Sequence, residues 1–94
     1  MILIDPPTWP GWGRTWSHLV SDTSVTELHD FAGRVGLPRR LFDEDHYDVP
    51  VERYDEVVAA GAVEVSAREL IRRLIASGLR VTQAQRAGRA PEPD

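Results

Sequence analysis

The opening residues MILIDPP (1–7) decide the class of fold. Ile2, Leu3 and Ile4 form a continuous apolar run with β-branched ends, the composition of a strand buried on both faces. Asp5-Pro6-Pro7 stops it, because proline brings no N–H to a ladder and restrains the residue before it. Such a strand needs helices to cover it. Ser24-Val-Thr-Glu27 fits a capping box, Val25, Leu28, Phe31, Ala32 and Val35 follow at helical spacing, and Gly36 supplies the stop, so the spacing predicts a helix over 24–35. A second helix is expected over 51–60, with Pro50 at its first position and Gly61 closing it. A third runs from the capping box at Ser66–Glu69 to Ser77, ended by Gly78.

Short strands are expected at His46–Val49 and Ala62–Val65, while Leu37–Phe42 reads as an irregular crossover or one short turn. Leu79–Val81 is a last strand or an anchor for the tail. The stretch TWPGWGRTWSHLVSD (8–22) holds all three tryptophans and reads as a long loop pinned by aromatic anchors, with at most a brief strand or turn at His18–Val20. The order strand–loop–helix–strand–helix–strand–helix predicts an α/β fold: a small three- to four-stranded, mainly parallel sheet with three helices and right-handed crossovers. Residues 1–81 are expected to form a single α/β domain, and 82–94, without apolar periodicity and rich in proline and acid, a disordered C-terminal tail.

Composition narrows the chemistry. The absence of cysteine removes disulfides, thiolate metal sites and a thiol nucleophile, and favours a reducing compartment. The N-terminus lacks the basic start and long apolar stretch of a signal peptide, and no run approaches a membrane span, so a cytoplasmic protein with no membrane partner is expected. All 11 basic residues are arginine, against 15 acids, for a net charge of −4. A GC-rich genome accounts for the bias; recognition of carboxylates or phosphates is the functional alternative. A net acidic chain runs against sequence-independent nucleic-acid binding, which uses a basic surface.

In open α/β sheets ligands gather at the carboxyl ends of strands. On this reading Asp5 ends the first strand, Asp48 lies near the end of the second, and the tryptophan stretch brings Arg14, His18 and Asp22 nearby. Imidazole and carboxylate suit a divalent metal, and Asp5, His18, Asp22, His46 and Asp48 are its candidate ligands. Arg14, Arg39, Arg40 and Arg53 are candidate anion clamps, although solvated pairing with Asp43, Glu44 and Asp45 is the favoured account of them. Gly11-Trp12-Gly13 is not a dinucleotide fingerprint, and Ser17-His18 beside Asp22 is no triad, because adjacent residues rarely set a hydroxyl against an imidazole. Trp9, Trp12 and Trp16 with Arg14 can stack a base or sugar, or simply pin the loop. His29 falls at the edge of the first helix's apolar stripe, the place of a boundary residue.

The motifs WSHLVSD (16–22), ELHDFA (27–32), GLPRR (36–40), DHYDVP (45–50) and AAGAVEVSAREL (59–70) together resemble the bacterial and phage family called domain of unknown function 4031. The resemblance runs from about Ile2 to Leu74 and implies a small stand-alone domain, with no activity, substrate or cofactor attached. It also implies that His29 belongs with the polar set as a ligand-binding residue. The combined expectation is a domain binding a small anionic or metal-chelated ligand at a rim of Asp5, Arg14, His18, Asp22, Arg40, His46 and Asp48. If the protein is catalytic, His18, His46 and Asp48 carry a metal-assisted or acid–base hydrolysis of a phosphate-type substrate. Two rivals stay open: an interaction module in which these residues form a structural network, and a nucleic-acid accessory protein.

Overall fold

The N-terminal apolar run is strand β1 (Ile2–Ile4), buried along its whole length in the computed structural model, which describes residues 1–82, 84 and 85. The tryptophan-rich stretch that follows is not a loop. It is a β-hairpin of β2 (Trp9–Gly11) and β3 (Arg14–Ser21). Trp12 and Gly13 form its two-residue turn with φ of 53° and 74°, the positive pair that a type I′ turn requires. Two features hide this hairpin in the sequence. Tryptophan is not a usual first residue of such a turn, and Pro10 and Gly11 break the alternation of β2. Proline is tolerated there because β2 is an edge strand.

Helix α1 (Val25–Val35) begins at Ser24, whose Oγ accepts from the Glu27 N–H, and ends at Gly36 with a left-handed φ of 76°. A 3-10 turn at Arg39–Leu41 leads to β4 (Phe42–Asp43) and, across a tight turn, to β5 (His46–Pro50). Pro50 therefore closes a strand rather than opening a helix; a 3-10 turn at Val51–Arg53 comes next, and α2 spans only Tyr54–Ala59. β6 (Val63–Glu64) and α3 (Ala67–Ser77, capped by Ser66 and Gly78) follow. Leu79–Val81 is an anchor, not a strand: Leu79 packs on the core and the Val81 N–H donates to Asp45. The expected tail lies outside the described residues except for Thr82, Ala84 and Gln85, where Thr82 and Gln85 exchange backbone-to-side-chain hydrogen bonds.

The sheet has six strands in the order β4-β5-β3-β1-β6, with β2 also on β3. Only β1–β6 is parallel; the other pairings are antiparallel, which corrects the expectation of three to four mainly parallel strands. The cause is the stretch read as a loop, whose strand β3 runs antiparallel to β1, β2 and β5, together with the β4–β5 hairpin beside the expected crossover. Alternation along the strands sends Ile2, Ile4, Leu19, Tyr47 and Val49 to one face, under α1 and α2. Leu3 and Val20 go to the other, under Leu70 and Leu74 of α3. On that second face His18 and Asp48 stay partly exposed, toward the hairpin.

Candidate metal centre

Strand register builds the site. His18 of β3 lies directly opposite Asp48 of β5, and His46 sits two residues before Asp48, so all three side chains fall on the α3 face. One ligand atom from each lies within 4.8 Å of the other two. Each imidazole is held from behind by a carboxylate. His18 Nδ1 is 2.9 Å from Asp5 Oδ2, and His46 Nδ1 is 2.7 Å from Asp45 Oδ1. A carboxylate takes an N–H at Nδ1, which leaves Nε2 of each ring for whatever occupies the space between them. The two rings meet edge to face at 5.0 Å.

Asp5 explains much of the local structure. β1 and β2 lie end to end along one edge of β3, and the chain between them leaves the ladder at Asp5-Pro6-Pro7. The Asp5 carboxylate fills the gap: its Oδ1 accepts the His18 backbone N–H at 2.6 Å and its Oδ2 accepts Trp9 Nε1 at 3.0 Å. It is buried, and among the described residues its hydrogen-bond partners are a backbone amide, an indole and His18. Asp45 is equally buried and also receives the Val81 N–H at 2.8 Å and Arg80 Nη1 at 3.5 Å. Turn, strand and C-terminal anchor thus meet on one carboxylate.

His46 Nε2 faces Asp48 Oδ1 at 3.1 Å. Burial pulls the pKa of His46 down, but hydrogen bonds and charge from Asp48 and Asp45 outweigh it, and the net shift is upward. Side-chain exposures of 27% for His18, 12% for His46 and 40% for Asp48 leave the cluster reachable from outside. Two concavities flank it: one of about 280 Å³ lined by both histidines under α3, and one of about 330 Å³ lined by Asp48, Trp12, Trp16 and Arg40.

A family model described as protein of unknown function (DUF4031) matches residues 2–77. The chain belongs to this family. No curated protein and no solved structure matches the chain. The match covers every DUF4031 residue of the cluster, including the two carboxylates behind the rings.

The other expected site residues of this DUF4031 domain are distributed more widely. Asp22 lies four residues beyond His18, about 13 Å along the strand, where it binds the amino terminus and Arg73. Arg14 pairs with Glu52 at 3.4 Å beside the Trp16 ring. His29 and Arg39 are on the opposite face of the sheet: His29 Nδ1 is 2.7 Å from the Tyr47 hydroxyl, and Arg39 lies over Phe42. Burial and the Arg39 charge push the pKa of His29 down. Arg40 lines the concavity on the Asp48 side. Asp45 and Arg80 were not among the expected site residues. The signal for Asp45 was present in the order Asp-His-Tyr-Asp, where an acid precedes a histidine at a strand start; Arg80 carried no local signal.

Proposed function

We propose that this protein is a divalent-metal-binding domain in which His18, His46 and Asp48 hold the ion and a small anionic ligand binds on it. The observation that carries this reading is the convergence of two imidazoles, each backed at Nδ1 by a buried carboxylate, on one further carboxylate. Carboxylate–histidine pairs of this kind orient rings and raise their basicity at metal centres. Bonds of about 2.0–2.2 Å put neighbouring ligand atoms about 3–3.5 Å apart, and the 3.1 Å between His46 and Asp48 already fits. Two nitrogens and one oxygen suit zinc, manganese or iron(II), and three protein ligands leave positions for water and substrate. A centre of that type activates water, so hydrolysis of an anionic substrate is the chemistry it supports.

Titration calorimetry of the metal-stripped protein with Zn²⁺, Mn²⁺ and Co²⁺ tests the reading. One ion per chain is expected, with a thermal stabilisation that grows with metal concentration. Asp48→Asn and His46→Ala should weaken binding at least tenfold. If wild type takes up no ion, the metal reading fails and the cluster is a hydrogen-bonded structural network.

A further inference from the structure

We infer that the substrate of this centre is a nucleoside monophosphate, its phosphate between the metal and Arg40 and its base against the indoles of Trp12 and Trp16. The inference rests on the metal reading above and names its substrate class. Of the two concavities beside the cluster, the one of about 330 Å³ is lined by Asp48 itself, so a ligand on an ion held by Asp48 reaches directly into it. Arg40 lines the same hollow. These opposite charges share it without pairing, and among the described residues the exposed Arg40 guanidinium has no carboxylate partner. A phosphate bound to the ion fills that gap: its charge answers the metal on one side, and its oxygens accept from the guanidinium fork on the other.

The rest of the wall is aromatic. Trp16 stands two residues before His18 on the same face of β3, about 7 Å along the strand, a span that one pentose bridges between a phosphate and a base. Its ring is fixed by the 2.8 Å hydrogen bond from Nε1 to the Gly11 carbonyl. Trp12, by contrast, is almost fully exposed, and its φ of 53° is unfavourable for a bulky residue. Folding gains little from an indole placed so, whereas a flat base gains a stacking surface, and strained backbone of this kind gathers at ligand sites. The hollow is at the small end of ligand sites, and the net charge is −4; both favour a single nucleotide over a nucleic-acid strand. A monophosphate also gives the centre a bond to cleave. The oxygen of an ion-bound water attacks phosphorus and the bond from phosphorus to the sugar oxygen breaks. One proton of the water passes to that leaving oxygen, releasing nucleoside and inorganic phosphate.

The test uses full-length protein loaded with Co²⁺, its uptake read from the visible absorption of the cobalt. Release of inorganic phosphate is then measured with adenosine 5′-monophosphate and with ribose 5-phosphate, which carries the same phosphate without a base. Stacking a base on an aromatic side chain is worth roughly five- to 100-fold, so kcat/KM should be at least about tenfold higher for the nucleotide. Trp12→Asn should cut that ratio at least about fivefold with Co²⁺ uptake intact. Arg40→Gln should lower kcat/KM for both esters at least about fivefold and keep the ratio between them. Equal rates with the two esters, or a ratio indifferent to Trp12→Asn, overturns recognition of the base. No phosphate release by protein that has taken up Co²⁺ overturns the substrate class while the metal centre stands. Faster cleavage of a single-stranded oligonucleotide than of the mononucleotide overturns it in favour of a strand. Failure to take up Co²⁺ overturns the metal centre, and this inference with it.

Discussion

Two buried polar groups have opposite circumstances. Among the described residues Ser17 Oγ, on the core side of β3, has no hydrogen-bond partner, whereas the Asp5 carboxylate accepts three hydrogen bonds. Burying a hydroxyl without compensation costs free energy. Ser17→Ala is therefore expected to leave stability unchanged or raise it by up to about 1 kcal/mol, measured by urea unfolding; a loss above that size would reveal a partner. Asp5→Asn should do the reverse. An amide keeps one acceptor and turns an NH₂ toward donors, so a loss of about 2–4 kcal/mol is expected, together with weaker metal binding through a misoriented His18. Unchanged stability in Asp5→Asn would show that the carboxylate does not organise this junction. The three residues of the cluster were legible in the sequence because the chain has three histidines, and His46 and Asp48 alternate within one expected strand. Their supports were not. Asp5 reads as a strand-ending ligand, and only the gap between β1 and β2 turns it into the group behind His18.

At the level of elements, the helices were legible and the sheet was not, for one physical reason. Helix ends are local: Ser24 and Ser66 accept from the N–H groups of Glu27 and Glu69, and Gly36 and Gly78 take left-handed φ values, as spacing alone predicts. Strand pairing is non-local and depends on turns. The hairpin turn at Trp12-Gly13 lacks the asparagine or aspartate that usually marks one, and Glu44, also at positive φ, hides the β4–β5 turn in the same way. Trp12 is 93% exposed, so it contributes little burial, and a bulky side chain at φ 53° is strained. Trp12→Asn should stabilise the protein by about 0.5–1 kcal/mol by restoring an Asn-Gly turn. A rise in melting temperature checks this, and a fall would show that the indole packs on something in solution. Gly13→Ala, at φ 74° with open space around its Cβ, should cost about 1 kcal/mol from backbone strain alone.

Across the whole molecule, the two faces of the sheet are tied together at the end away from the candidate metal centre. Asp22 follows β3 and accepts from the amino terminus at 2.9 Å and from Arg73 of α3 at 2.6 Å, while Glu27 of α1 accepts from the same amino group. The helix on one face and the helix on the other thus meet through one charged cluster at the edge of β1. The hydrogen bond from the terminal ammonium, followed by that from Arg73, holds the Asp22 carboxyl at about 2 against an ordinary 3.8. A depressed carboxylate stabilises the folded state fully above its unfolded pKa and loses that contribution as pH falls through the folded value. Asp22 should therefore contribute about 1–2 kcal/mol at pH 5, discounted for its partial exposure, and lose it between about pH 4 and pH 2. Asp22→Asn should lower stability at pH 5 by that amount and flatten the acid limb of the stability–pH curve, with the variant and wild type converging near pH 2. Because Asp22 lies four residues from His18, at the far end of the same face, metal affinity should be unaffected. A substitution that weakened metal binding while leaving the acid limb unchanged would mean that this end of β3 transmits strain to the centre instead of fastening the helices.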